Sequence, residues 1–276
     1  MTALSNLLSL LAEPFIQRAF LAGVLIAIMS GLLGVFIVLK KVSLIGDGLS
    51  HTAFGGLALG YYLNVVPLWA AAVIVVLGAI LITKSTRSKR ISGDAAVAVI
   101  LQLGLASGIV LLSLAHGFGV NIDSLLFGSI LLVDANQIFL TVAILVVVAL
   151  VVAFYYRELQ YTTFDEPQAR AAGINTTLLD YLVSVLTGVV VIAAIPIVGV
   201  LLISAMLVLP ALMSLQISRS FKETIFLTPL FGVASVGAGI ILSILIDSAS
   251  GATIVLTAII GFLIILGIKR LTPVKE

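Results

Sequence analysis

Nine long apolar runs constrain the fold of this chain more than any other feature of its sequence. They lie at about 15–39, 42–63, 67–83, 95–115, 137–155, 177–195, 198–217, 225–246 and 252–268. About 20 apolar residues in helical conformation cross the ~30 Å hydrocarbon layer of a membrane. With 62% apolar and 9% charged residues, the chain has little sequence left for an extramembrane domain. We therefore predict an all-α membrane protein that forms a single transmembrane domain over residues 1–276.

The apolar block from Leu178 to Ile217 decides how many spans are predicted. As one helix it would be about 60 Å long, which is twice the thickness of the hydrocarbon layer. Pro196 and Gly199 lie near its middle, where a helix can turn. We therefore predict a hairpin of two helices here and about nine transmembrane helices in total, with eight as the alternative count.

The basic residues predict the orientation of the chain in the cell membrane. With nine spans, the Lys and Arg that follow the odd-numbered runs all lie on one side, and they are 13 of the 14 in the sequence. Only Arg18 lies on the other side. Since cytoplasmic loops of membrane proteins are rich in Lys and Arg, the amino terminus is predicted outside and the carboxyl terminus in the cytoplasm.

Composition and missing motifs argue against several classes of function. A formal charge of +2 is too small to indicate a nucleic-acid partner. The chain has no cysteine, so a metal would have to bind through oxygen or nitrogen. The sequence lacks the GxxxxGK(S/T) phosphate loop, and it lacks the HExxH and GxSxG motifs of hydrolases. We expect no enzymatic activity and no permanently bound cofactor.

Two polar residues inside the second apolar run form the candidate site. Asp47 and His51 lie in VSLIGDGLSHTAFGGLALGYY, at depths of about 7.5 and 13.5 Å when counted from Val42 at 1.5 Å per residue. Their four-residue spacing places both side chains on one face of a helix. A carboxylate at that depth costs about 2.5–3.5 kcal/mol, so it should face a cavity or a partner rather than lipid.

A carboxylate and an imidazole can hold a divalent transition metal between them, and mixed oxygen and nitrogen ligands suit manganese, iron and zinc. Two ligands from one chain make a weak site, and a transported ion must be able to leave. Two other interpretations remain open at this point. The pair could form an internal hydrogen bond without a ligand, or His51 could relay protons. His116, in a predicted external loop, is more simply an ordinary loop residue.

Glycines in the same run would let a second copy of the span approach closely. Gly55, Gly56 and Gly60 follow His51, and small residues promote close helix packing in membranes.

The loop from Tyr156 to Asn175 is predicted to contain a short cytoplasmic helix. An Ala-rich stretch begins at Pro167, a residue that the first turn of a helix accepts, and Gly173 can end the helix. Such a helix could act as a lever for a cytoplasmic motor, or it could simply connect two spans.

Several stretches together resemble the membrane permeases of the manganese, zinc and iron ABC importers. The most specific is GLLGVFIVLKKVSLIGDGLSHTAFGGLALG at 31–60, in which a Gly-Asp-x-Leu-Ser/Ala-His core follows a basic pair. Thr52 follows the histidine where the family often has alanine. The weaker stretches are SLLFGSILLV at 124–133, TFDEPQARAAGI at 163–174, VGVLLISAMLVLPA at 198–211 and SGATIVL at 250–256.

The resemblance implies a permease subunit that dimerises with a second copy of itself on two copies of a cytoplasmic ABC ATPase. It also implies that an extracellular or periplasmic binding protein delivers the metal. Asp47 and His51 match the metal-path residues of the family, and the stretch around Met206 and Pro210 resembles the inner helix near the dimer path. The 163–174 loop matches the helix that docks on the ATPase, and the residues implied in coupling are Phe164, Asp165, Glu166, Arg170, Ala172 and Gly173.

The leading hypothesis is therefore an ATP-driven importer of zinc, manganese or iron. The alternative is a secondary transporter that uses the same Asp47 and His51 pair for metal movement coupled to an ion gradient.

Overall fold

The computed structural model describes residues 13–88, 93–114 and 133–271, and all regular structure in these ranges is helical. The predicted loop residue His116 and all but the last residue of the 124–133 stretch lie outside the described residues. The helices are α1 (Pro14–Leu39), α2 (Ile45–Tyr62), α3 (Pro67–Arg87), α4 (Gly93–Leu114), α5 (Ala135–Phe154), α6 (Tyr156–Phe164), α7 (Glu166–Ala171), α8 (Thr176–Ile217), α9 (Phe221–Ile246) and α10 (Ser250–Leu271).

Seven helical segments in the described ranges are long and apolar enough to cross a membrane. They are α1, α3, α4, α5, the first part of α8 (Thr176–Val200), α9 and α10. Two further segments fall short of that criterion. Leu202–Ile217 is apolar but shorter, and α2 carries Asp47, His51 and five glycines in its 18 residues. The structure thus confirms an all-α, multi-pass membrane protein, while the count of nine crossings stays a prediction.

Helix α8 changes direction at Gly199, which has a φ of 80° and a ψ of 168°. Near the start of α8, Asp180 accepts a hydrogen bond from Lys40 at the end of α1. Beyond the other end of α8, the ring of Phe221 packs 5.8 Å from the ring of Phe36, which also lies at the end of α1. Both ends of α8 therefore lie at the same end of the bundle, as the predicted hairpin requires.

Helix α2 is enclosed by α3, α4 and α8, and glycines allow the close approach. A Cβ built at Gly104 of α4 would lie 2.6 Å from the carbonyl oxygen of His51. A Cβ at Gly78 of α3 would lie 2.8 Å from the Cγ2 atom of Thr52. These contacts leave no room for a side chain where the three helices cross, so glycine at the crossing fixes the position of α2.

We expect Gly104→Ala to destabilise the protein, because the added methyl group would meet backbone atoms that cannot rotate away. Overpacking of this kind costs about 1–3 kcal/mol. The measurement is the thermal unfolding temperature of the purified protein in detergent. Gly267→Ala in α10 is the matched control, since its Cβ would meet nothing within 4 Å. Equal unfolding temperatures for the two variants would show that the crossing is looser than described.

Candidate metal path

Asp47 and His51 lie on the one face of α2 that neighbouring helices leave partly open. Between Ile45 and Gly60, every residue is buried except Asp47, His51 and Leu59, which are partly buried. The three are four and eight residues apart, so they share one side of the helix. The structure therefore brings the predicted pair together on a common face, turned away from the surrounding α3, α4 and α8.

His51 lies near the mid-height of the bundle. Its carbonyl oxygen faces Gly104, which is near the middle of α4, and the adjacent Thr52 faces Gly78, which is near the middle of α3. Asp47 lies one helical turn closer to the start of α2, because that helix begins at Ile45. The depth of His51 in a membrane, expected from the sequence at about 13.5 Å, stays a prediction.

One ring nitrogen of His51, Nδ1, is buried without a hydrogen-bond partner in the part of the chain that the structure describes. This nitrogen makes no hydrogen bond to the Asp47 carboxylate, while the other ring nitrogen leaves the interpretation of an internal hydrogen bond open. A buried polar atom without a partner is costly, and a metal ion or an ordered water would remove that cost.

A single chain provides few metal donors at this place. Among residues 13–88, 93–114 and 133–271, no group of three or more His, Cys, Asp or Glu side chains lies close enough to hold a metal ion. Asp47 and His51 together offer one imidazole and one carboxylate. Divalent transition metals in proteins take four or more ligands, so this pair alone could supply only part of a coordination shell.

The three glycines predicted to meet a second copy pack inside this chain. A Cβ at Gly55 would lie 2.7 Å from the carbonyl oxygen of Gly104, one at Gly56 would lie 2.6 Å from the Cα of Ala71, and one at Gly60 would lie 2.5 Å from the Cα of Pro67. Contacts with α3 and α4 thus account for all three glycines. Their role between two copies stays a prediction.

Met206 and Pro210, predicted beside the dimer path, are buried within the second part of α8. The Met206 side chain is 1% exposed, and its Cε lies 3.4 Å from the position of a Cβ at Gly232 of α9. In the same part of α8, Ser204 and Leu207 face Gly46 of α2. Met206 therefore packs in the core of the chain.

The short helix predicted in the 156–175 loop is present as α7 (Glu166–Ala171). The Asp165 carboxylate caps its start by accepting a hydrogen bond of 2.9 Å from the backbone N–H of Gln168. Its end is set by Ala172 and by Gly173, whose φ of 83° favours glycine. Phe164 is 65% exposed, and the Arg170 side chain is 63% exposed. The end of α6 therefore presents an aromatic side chain at the surface of the bundle, and α7 presents a basic one.

A chain of ion pairs connects α7 to the bundle. Asp180 binds Lys40 at 2.5 Å and also binds Arg87. The Arg87 guanidinium also lies 3.2 Å from the Glu166 carboxylate. That carboxylate accepts a hydrogen bond of 2.6 Å from Arg170. The sequence did not single out Lys40, Arg87 or Asp180, because the two pairs at Asp180 join residues 140 and 93 positions apart.

Glu166 is held in its ionised form. Partial burial would raise the pKa of its carboxyl group, but four interactions outweigh that effect and lower it below the ordinary value. They are the hydrogen bond from Arg170, the charge of Arg87, the hydrogen bond from Thr176 and the charge of Arg170. The carboxylate therefore keeps both arginines paired at neutral pH.

Comparison with known proteins identifies the family. The model of the ABC 3 transport family matches residues 12–269. The manganese transport system membrane protein MntC of Halalkalibacterium halodurans is 34% identical over 249 residues, which cover 90% of this chain and 85% of the relative. The manganese import system permease protein ScaB of Streptococcus gordonii is 31% identical over 250 residues, with 91% and 90% covered.

Solved structures agree with this result. PsaBC from Streptococcus pneumoniae, in complex with a Fab, contains a chain that is 32% identical, with a TM-score of 0.85 and 95% of both chains covered. An inward-facing putative metal-chelate type ABC transporter shares the fold at 17% identity and a TM-score of 0.67, with 91% of this chain and 85% of that chain covered. From the family model and the relatives above 30% identity, we conclude that the chain belongs to the ABC 3 transport family.

Proposed function

We propose that this chain is the permease subunit of an ATP-driven importer of a divalent transition metal, with manganese as the first candidate and zinc and iron as the others. The observation that carries the proposal is the pair of Asp47 and His51 on the open face of α2, at mid-height in an apolar bundle. The manganese transport named for the MntC and ScaB relatives favours the same ion.

A homodimer would complete the coordination shell. If two copies face each other through the open side of α2, two carboxylates and two imidazoles converge on one passage. Mixed oxygen and nitrogen donors suit manganese, iron and zinc better than magnesium or calcium. Because each chain contributes only two donors, separating the two copies slightly would weaken the site and release the ion.

The energy for transport would come from a partner. The sequence contains no phosphate loop, and α7 offers exposed side chains on which a cytoplasmic ATPase could dock. Lys40, Arg87 and Arg170 gather at the end of the bundle that carries α7. An excess of basic residues marks the cytoplasmic side, so we place α7 and the carboxyl terminus there and the amino terminus outside. A binding protein on the outer side would deliver the metal.

Two copies of the ATPase would each hold one α7. Closure of the ATPases on ATP would bring the two α7 helices together and tilt the spans attached to them. The Asp47 and His51 site would then open to one side of the membrane at a time. Alternating access of this kind needs only rigid movements of packed helices.

We expect metal uptake into proteoliposomes to require ATP hydrolysis by the partner ATPase. A partner with an inactivated phosphate loop should abolish uptake, which elemental analysis of zinc, manganese and iron in the vesicles would measure. Collapse of the proton gradient with ATP present should leave uptake unchanged. If uptake continues with the inactivated partner but stops when the proton gradient collapses, the alternative is established, which is a secondary transporter driven by an ion gradient.

We also expect Asp47→Ala and His51→Ala to abolish metal uptake by the reconstituted complex while both variants still insert into the membrane. Each change removes half of the donors that one chain contributes. Asp94→Asn is a suitable control, because Asp94 is exposed in the first turn of α4. Normal uptake in either alanine variant would refute the assignment of the site.

Substitution at the end of α7 should uncouple the ATPase from transport. Gly173 has a φ of 83°, where a side chain costs about 1–2 kcal/mol, so Gly173→Val should shift the end of α7. The expected result is continued ATP hydrolysis with reduced metal uptake, in assays of both on the same vesicles. Gly267→Val is the control, since a Cβ there meets nothing within 4 Å. If Gly173→Val leaves binding and stimulation of the ATPase and the uptake of metal normal, α7 is only a connecting helix.

A further inference from the structure

The ion pairs between α7 and the end of α1 form a continuous chain of charged side chains, Arg170–Glu166–Arg87–Asp180–Lys40. We propose that Arg87 and Asp180 are positioning residues that transmit a displacement of α7 to the turn that precedes α2. This inference rests on the proposed function, because it assumes that an ATPase moves α7 and that α2 carries the metal path.

Arg87 connects three helices through one rigid group. One terminal nitrogen of its guanidinium binds Asp180 of α8, and the other lies 3.2 Å from Glu166 of α7 and 3.4 Å from the hydroxyl of Thr176. A guanidinium is planar, and its donors keep fixed directions. A shift of Glu166 therefore cannot be absorbed within the Arg87 head group, and it changes the contact with Asp180.

Asp180 also binds a basic side chain at the end of α1. Its other carboxylate oxygen lies 2.5 Å from the Lys40 ammonium, and the side chains of Lys40 and Asp180 are only 16% and 19% exposed. Charges that are partly shielded from water interact more strongly than charges at a surface. Lys40 and Arg87 thus bind the same carboxylate, so α1, α3 and α8 are joined at one point.

A tight turn fixes the position of Lys40 relative to α2. The backbone N–H of Lys41 donates to the carbonyl of Val38, and that of Val42 donates to the carbonyl of Ile37, which together form a Schellman motif. Lys41 holds a φ of 58°, and α2 begins at Ile45. Because the turn is short and hydrogen-bonded, a movement of Lys40 is carried to the start of α2, two residues before Asp47.

The charged chain borders open space rather than a packed core. The residues that line a cavity of about 750 Å³ include all five members of this series of ion pairs, together with Thr83, Thr86, Ser184 and several apolar residues. Side chains beside such a cavity can exchange partners without displacing buried apolar groups. The chain of ion pairs therefore has room for a second arrangement, which a transmitting element needs.

The ion pairs also indicate that Arg87 can be changed without unfolding the protein. When Arg87 is removed, Asp180 keeps Lys40 and Glu166 keeps Arg170, so neither carboxylate is left without a cationic partner. A loss of function in such a variant would then report on transmission rather than on a buried unpaired charge.

The test uses the full permease with its partner ATPase and binding protein in proteoliposomes, and it measures the number of manganese ions taken up per ATP hydrolysed. We expect Arg87→Gln and Asp180→Asn each to lower this ratio about fivefold or more while ATP hydrolysis continues. Lys84→Gln is the matched control, because Lys84 is exposed on the same helix three residues before Arg87. Its ratio should equal that of the unchanged protein.

The double variant shows whether Arg87 and Asp180 act through the same series of ion pairs or independently of each other. If Arg87 and Asp180 act in one chain, combining Arg87→Gln with Asp180→Asn should lower the ratio no further than the stronger single change. Unchanged ratios in the single variants, or losses that multiply in the double variant, would overturn the proposal.

If Arg87→Gln does not assemble with its partners, the conservative change Arg87→Lys tests the proposal. Arg87→Lys keeps the charge but cannot bind Asp180, Glu166 and Thr176 through a rigid fork, so we expect its ratio to fall about twofold or more. A ratio equal to that of the unchanged protein would overturn the proposal. Failure of the proposed function itself looks different, since the unchanged complex would then take up no manganese, zinc or iron with ATP.

Discussion

The free-energy cost of holding a carboxylate and an imidazole inside an apolar bundle is the constraint on which the rest of the structure depends. Asp47 and His51 are only partly buried, whereas all other residues of α2 between Ile45 and Gly60, apart from Leu59, are buried, and α2 packs against α3, α4 and α8. A charge in such surroundings needs water, an ion or a polar partner. In the proposed function, a second copy of the chain and a passing cation at the open face of α2 would satisfy both side chains.

Close helix packing is what leaves only this face open. Glycines at 55, 56, 60, 78 and 104 bring the backbones of α2, α3 and α4 into contact, and α8 doubles back at Gly199 to cover another side. The same packing makes α2 a rigid part of the bundle. A helix held in this way moves with its neighbours, so its polar face can be opened or closed only by a movement of the surrounding spans.

Much of this arrangement can be predicted from the sequence, because it follows from local patterns. The apolar runs, the reversal at Gly199, the shared face of Asp47 and His51 and the short helix before Gly173 all depend on residues close together in the chain. Contacts between distant segments could not be predicted. The pairing of Asp180 with Lys40 and Arg87 and the burial of Met206 against α9 depend on how helices meet, and spacing along the chain does not encode that.

Pulsed electron paramagnetic resonance of manganese trapped in the complex, with the ATPase inactivated, tests the central claim most directly. The account predicts a ¹⁴N coupling from a histidine ligand that disappears in His51→Ala. A manganese signal from oxygen ligands alone, or a nitrogen coupling that persists without His51, would contradict it.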